Sequence, residues 1–335
     1  MFENKPLVHV GVDDGAAETK IVVFDHTGIK TQVAIPSRAR SGSMGVSFIG
    51  NLGSADQVYP CYETEGTQFV VGDYKESETA GFDGYPYSGM NRAIVAHALR
   101  VAGLAGESLH IGTGLPLSVY FRGAQANQEA IDKKKASLQK LVTATDGSPM
   151  ARIIRQSVFP EGLAAFIDYA VDDQGELRVD LDNEVIGIID IGGRTTDIAV
   201  VEPRGKIDHA RSGSENIGVL DLVEAVITSL SKTLGVAVPA HTVMQALRTG
   251  HISAFGTKRD ITDIIKACAQ DVLQRILREI DRRLGDGVDL TRILLVGGGA
   301  NVFGLVSEKY PHILIPEDPE FANARGFAKY LSLNA

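Results

Sequence analysis

Two short stretches of this sequence combine carboxylates with tight glycine turns in a way that suits phosphate chemistry. The first, GVDDGAAETKIVVFD, carries Asp13, Asp14, Gly15, Ala16, Ala17 and Lys20; the second, IIDIGGRTTDIAVVE, carries Asp190, Gly192, Gly193, Arg194 and Thr195. Each reads as an apolar strand ending in Asp, a turn of small or hydroxyl residues, and a second strand; the two lie 177 positions apart (190 minus 13). Such a turn gathers backbone N–H groups into one concavity, which is an anion site. Glycine is needed there because the chain must approach the anion closely or take positive φ. Two hairpins of this kind facing each other could grip the β- and γ-phosphates of a nucleotide. Asp13 and Asp190 would then lie across the phosphates, a place that suits Mg²⁺, which takes few carboxylate ligands and keeps several waters. Lys20, one strand beyond the first turn, is within reach of a phosphate oxygen.

A third feature is the strand RILLV (Arg292–Val296) running into Gly297, Gly298 and Gly299, with a helix expected from about Asn301. A helix N-terminus after a glycine turn suits an anion or a nucleotide. Hydrolysis also needs an oriented water. Glu161, at a strand-to-helix junction between the two hairpins, is the candidate to position or polarise it. Each element has an ordinary reading on its own: Asp13 or Asp14 as a turn-former, Lys20 as a surface lysine, Glu161 as a helix cap or dipole partner. Their joint occurrence is what points to a nucleotide clamp.

The elements that must position these residues follow from period and punctuation. Strands are predicted at Leu7–Asp13, Lys20–Asp25, Leu109–Gly112, Ile153–Phe159, Val185–Asp190 and Thr196–Val201. Helices are predicted over Asn91–Ala102, Asn127–Val142, Pro160–Ala170, Ile217–Leu234, His241–Thr249, Asp260–Leu284 and Phe321–Leu331. The run Lys133, Lys134, Lys135 reads as a solvated face of its helix. Residues 36–87 read as irregular, with short strand-like pieces such as Phe69–Gly72.

A length of 335 residues suggests about two domains, and 44% hydrophobic with 22% charged residues is a globular composition. The net charge of −9 argues against broad direct binding to nucleic acid, which depends on cations displacing counterions. Cys61 and Cys268 lack any disulfide or metal spacing. Neither a membrane-length apolar run nor a signal sequence is evident, so a cytoplasmic protein without membrane contact is expected.

These motifs resemble those of the actin, sugar-kinase and heat-shock-chaperone ATPase superfamily. Asp13 through Lys20 resembles its first phosphate loop, Asp190 through Asp197 its second, and Val296-Gly297-Gly298-Gly299-Ala300 its adenosine motif. Within it, Leu115–Phe121 followed by the basic helix, Phe159-Pro160-Glu161-Gly162, Tyr87–Asn91 and Ile217-Gly218-Val219 resemble the plasmid-segregation ParM/StbA actins. The resemblance implies an α/β, actin-like fold of two ribonuclease-H-like lobes with a nucleotide cleft between them. Lobe I would be residues 1–181 plus a returning helix within 319–335, and lobe II residues 182–318. It further implies an ATPase using Mg²⁺, with Asp13, Asp190 and Glu161 catalytic, Asp13 and Asp190 on the metal, and Asn216, Gly218 and Ala300 joining the nucleotide contacts. GTP stays open as the alternative nucleotide. The implied partners are further copies of the chain, in a head-to-tail filament, and a small DNA-binding adaptor at a centromere-like site.

The sequence departs from that pattern in two places. Ala16 and Ala17 stand where hydroxyl or amide side chains are usual, so backbone must serve the phosphate there. Arg194 replaces a small residue, to touch phosphate or to face solvent. A small-molecule kinase of the same superfamily is the alternative function, although no sugar-binding signature is present. A chaperone ATPase would need a substrate domain, and a cell-shape actin a membrane-binding segment; neither is expected here.

Overall fold

The computed structural model describes residues 7–25, 28–42, 59–178 and 180–334. Its first large sheet has the order Arg152–Pro160, Ser108–Leu115, Val8–Asp14, Glu18–Asp25, Gly28–Pro36. The first three strands are parallel and the last two form antiparallel hairpins. The second large sheet repeats the plan: Ile186–Ile191 pairs antiparallel with Thr196–Glu202 and parallel with Arg292–Val296. Both central strands are apolar and buried on both faces, as strands inside a covered, largely parallel sheet must be. The repeated plan makes an α/β fold of two similar lobes, as the motifs implied.

Helices Val219–Leu234, Ala240–Thr249 and Thr262–Leu284 cover one face of the second sheet, burying Val223, Val226, Val243, Ile276 and Ile280 against Ile189, Ile198 and Leu295. Glycines 235 and 250, both with positive φ, end two of these helices. The helix Ala322–Leu333 does not join this lobe. It packs on Val8–Asp14, Glu18–Asp25 and Ser108–Leu115, and Gly11 permits the approach, since a β-carbon there would sit 1.8 Å from Ala324 O. Arg325 (2.8 Å) and Lys329 (3.0 Å) both pair with Asp168, fixing this helix to the helix Leu163–Ala170. The other side of Leu163–Ala170 meets the second sheet through Leu163, Ala165, Ile186, Ile188 and Val296, an apolar floor between the lobes.

Three expectations are corrected. Part of the stretch read as irregular forms four short strands, Cys61–Thr64, Thr67–Val71, Arg38–Ser41 and Glu78–Thr79, which join Thr143–Ala144 in a five-stranded sheet; these strands are too short to show a period. Residues 43–58 of it lie outside the described residues. No α-helix starts at Asn301: turns and the 3-10 segment Gly304–Glu308 follow the glycines. Lys134 is not solvated; it is buried within its helix, Gln128–Leu138, which carries a narrower polar face than the charge run suggested. An exposed hairpin, His251–Ala254 with Thr257–Asp260, lies between two helices where no element was expected. Its turn uses positive φ at Phe255 and Gly256, as two-residue hairpin turns require.

Candidate functional site

The turns of the two hairpins face each other across a cavity of about 710 Å³ between the lobes. Asp13, Asp14, Gly15, Ala16, Ala17 and Lys20 line it from one side; Asp190, Gly192, Gly193, Arg194, Thr195 and Asn216 line it from the other. Glu161, Gly297 and Gly298 complete the wall. Gly218, Gly299 and Ala300 lie behind it. Gly218 seats the start of Val219–Leu234 against the carbonyls of Gly192 and Gly193, Gly299 lets the glycine turn close onto Ile191, and Ala300 is in the core.

Each turn is anchored by its carbonyls. Ser37 donates to Gly15 O (Oγ, 2.6 Å) and Ala17 O (N, 2.9 Å), while Val219 N and Leu220 N bond Gly192 O (3.1 Å) and Gly193 O (2.8 Å). A trans peptide carries C=O and N–H on opposite edges, and all peptides described are trans. Holding those carbonyls into their own lobes therefore turns the N–H groups of Ala16, Gly193 and Arg194 away from the lobe bodies. The turns also meet: a β-carbon on Gly193 would lie 2.6 Å from Ala17 N, so both positions must be small.

The carboxylates are buried, and their partners differ. Asp13 faces Lys20 across the first hairpin, Nζ to Oδ2 3.3 Å. Burial raises the Asp13 carboxyl even so; at Lys20, burial opposes the charge, but Asp13, Glu18 and Asp190 outweigh it and keep the ammonium above its usual range. Asp14 turns inward, accepting from Asn91 Nδ2 (2.6 Å) and from Lys134. In the second hairpin the residue opposite Asp190 is Asp197. Burial, and then the Asp197 charge, push Asp190 up to about 7; burial lifts Asp197 to about 6 despite hydrogen bonds from Ser214 Oγ and Leu117 N (2.7 Å). Glu161 is raised well above the usual carboxylate range, by burial first and then by Asp197, Asp13 and Asp190.

Three further residues shape the site. Asn323 donates to Asp190 Oδ2 (2.6 Å) and accepts from Gly162 N (3.0 Å), tying the second hairpin to the residue after Glu161. An Asn inside the closing helix carries no sequence signal for this. Gly114 leaves room for the Glu161 side chain, since a β-carbon would meet its Cγ at 2.6 Å. Asp197 had a signal, its place in the second motif. The Arg194 side chain is held at the cavity wall rather than left free in solvent: it donates to Gly81 O and to Asp83 in the other lobe.

A buried pair of opposed carboxylates beside two more suits a hard divalent cation. Among the described residues no three such groups converge closely enough to cage an ion alone. That fits Mg²⁺ held through one or two carboxylates, waters and a ligand's phosphates.

Comparison with known proteins adds to this geometry. Residues 8–172 match the family described as plasmid segregation protein ParM, N-terminal, and residues 188–307 match archaeal actin homologue MreB-like, C-terminal. The fold is actin-like, and the two parts of the chain are similar to ParM and to the archaeal actin homologues respectively. Among solved structures it is similar to the archaeal actin homolog Ta0583, 25% identical over 98% of this chain and 100% of that one, with a TM-score of 0.76. The same archaeal protein in complex with ADP superposes at 0.75 with the same identity and coverage. A 15-stranded ParM filament from Clostridium botulinum is 19% identical, covers 97% of this chain and 98% of its own, and gives 0.71, a likeness of fold. A search of curated sequences returns no match. The first hairpin thus lies in the part that matches ParM and the second in the part that matches the archaeal actin homologues.

Proposed function

We propose that this chain is an actin-like ATPase that polymerises head to tail with Mg-ATP and moves plasmid DNA through a DNA-bound adaptor. The observation that carries the reading is the pair of facing hairpins, with Asp13–Lys20 on one side and Asp190–Asp197 on the other. Residues 1–181 with 319–335 act as lobe I and residues 182–318 as lobe II. The N–H groups of Ala16, Gly193 and Arg194 and the ammonium of Lys20 hold the phosphates. The adenosine side is Asn216, Gly297 and Gly298, with ATP rather than GTP taken from the adenine nucleotide on a structural relative. Asp13 and Asp190 would hold Mg²⁺, which would supply positive charge to phosphate oxygens and let the carboxylates ionise together. Glu161 accepts a hydrogen bond from the attacking water and takes its proton. The protein works in the cytoplasm and reaches DNA through its adaptor rather than directly.

The test is light scattering of the purified chain after Mg-ATP is added, with phosphate release followed in parallel. Scattering that rises and then decays as ATP is consumed is expected. Flat scattering over a wide range of protein concentration, with phosphate appearing on an added small-molecule acceptor, would sink the reading. A second reading, a filament with no plasmid cargo, draws on the archaeal actin match over lobe II. The expected discriminator is whether a small basic DNA-binding protein encoded beside it stabilises the filaments.

A further inference from the structure

We infer that Arg194 is an interlobe latch that sets how fast nucleotide leaves the cleft; the inference rests on the nucleotide reading above and deepens it. Arg194 belongs to the second phosphate turn, yet its guanidinium crosses to lobe I, donating to the Gly81 carbonyl and to Asp83. Both Arg194 and Asp83 line the cavity. The two lobes also lie close together at Gly81, where a side chain's β-carbon would meet Leu220 Cδ1 of lobe II at 3.2 Å.

The position of these contacts makes them a latch rather than a brace. At the cleft floor the lobes are joined by buried groups, Asn323 with Asp190, Leu117 N with Asp197, and the apolar layer around Leu163 and Ile188. At the rim, Asp83 is 96% exposed and Arg194 35%. An exposed ion pair adds little to folding and is screened by salt, whereas the buried floor resists separation. Opening therefore starts at the rim, where ligand must pass. Arg194 also joins two functions in one residue. Leu220 N takes the Gly193 carbonyl, so the Arg194 N–H points the opposite way, to where a phosphate would sit. The backbone of Arg194 meets the phosphate while its side chain holds the other lobe, so loss or arrival of a phosphate bears directly on the latch.

The experiment is stopped-flow dissociation of mant-ADP with Mg²⁺ from the full chain, chased with excess ATP. Arg194→Ala is expected to speed release about three- to tenfold and Asp83→Ala about two- to fivefold. The double variant should release no faster than Arg194→Ala, because the two residues act as one contact. The swap Arg194→Asp with Asp83→Arg should recover part of the loss, and raising salt should narrow the gap between wild type and variants. Asp83 is exposed, so its substitution separates the latch from folding. Release rates for both single variants within twofold of wild type, or fully additive effects, overturn the latch. Failure of the wild-type chain to bind Mg-mant-ADP overturns the nucleotide reading itself.

Discussion

The two hairpins are built to one plan and wired oppositely. In the first, the Asp at the strand end faces Lys20, and the next Asp is neutralised by Lys134. In the second, the Asp at the strand end faces another Asp, with Asn323 as its nearest neutral donor. Like charges directly across a ladder destabilise a sheet, and opposite charges support it. The first hairpin is therefore complete as folded. The second holds surplus negative charge that a cation would relieve; burial lifts its carboxyls to about 7 and about 6, and at Asp190 the facing Asp197 charge adds to the rise. Repetition of a motif has left one half structural in its electrostatics and the other expectant.

This contrast can be broken experimentally. The largest effect belongs to Glu161, which faces both halves. Glu161→Ala should slow phosphate release by roughly 10²–10⁴-fold while nucleotide binding and assembly persist, giving long-lived polymer; unchanged release would remove Glu161 from the mechanism. Next, Lys20→Met leaves the Asp13 carboxylate buried without its partner and should cost roughly 3–5 kcal/mol of stability in urea unfolding. A loss below about 1 kcal/mol would show that the first hairpin does not depend on its ion pair.

Gly297→Ala tests the geometry behind the second hairpin. A β-carbon there would sit 2.4 Å from Asp190 Oδ1 at a φ of 84°, so a loss of roughly 1–3 kcal/mol is expected. Asp197→Asn should act in the other sense. It keeps the oxygen that accepts from Leu117 N and Ser214 but removes the opposed charge, and should raise the thermal midpoint of the ligand-free protein by the equivalent of about 1 kcal/mol.

The same asymmetry sets a pH dependence. Asp190 and Asp197 have folded pKa values above the unfolded value, so the folded state binds more protons between about pH 4 and 7. Stability of the ligand-free chain should then fall as pH rises through that window, and Asp190→Asn should flatten the slope. A midpoint that climbs steadily from pH 5 to 8 would contradict the assignment.

Much of this was legible in the sequence because the signals were local. An apolar strand, an Asp, a glycine turn and a second strand are contiguous, so Asp13, Lys20, Asp190 and Thr195 could be named before any coordinates. The helix Ala322–Leu333 was visible by period, within two residues at its C-terminal end. The failures were of another kind. Lys134 looked like part of a solvated face because its partner, Asp14, is 120 residues away. Asn323 was invisible because only the return of the closing helix brings it to Asp190. The expected helix after Gly299 did not form; Gly299 and Ala300 go instead to close packing on Ile191 and to the core.

By itself, then, the sequence determined which residues could bind phosphate, that there were two such turns, and that each would open a strand pair, since backbone propensity and burial period act over a few neighbouring residues. Only the tertiary structure decided which carboxylate would be paired and which left opposed, which lysine would be buried, and where Arg194 would reach. Those outcomes depend on distances between groups far apart in the chain, and on how strongly burial raises the energy of an unpaired charge.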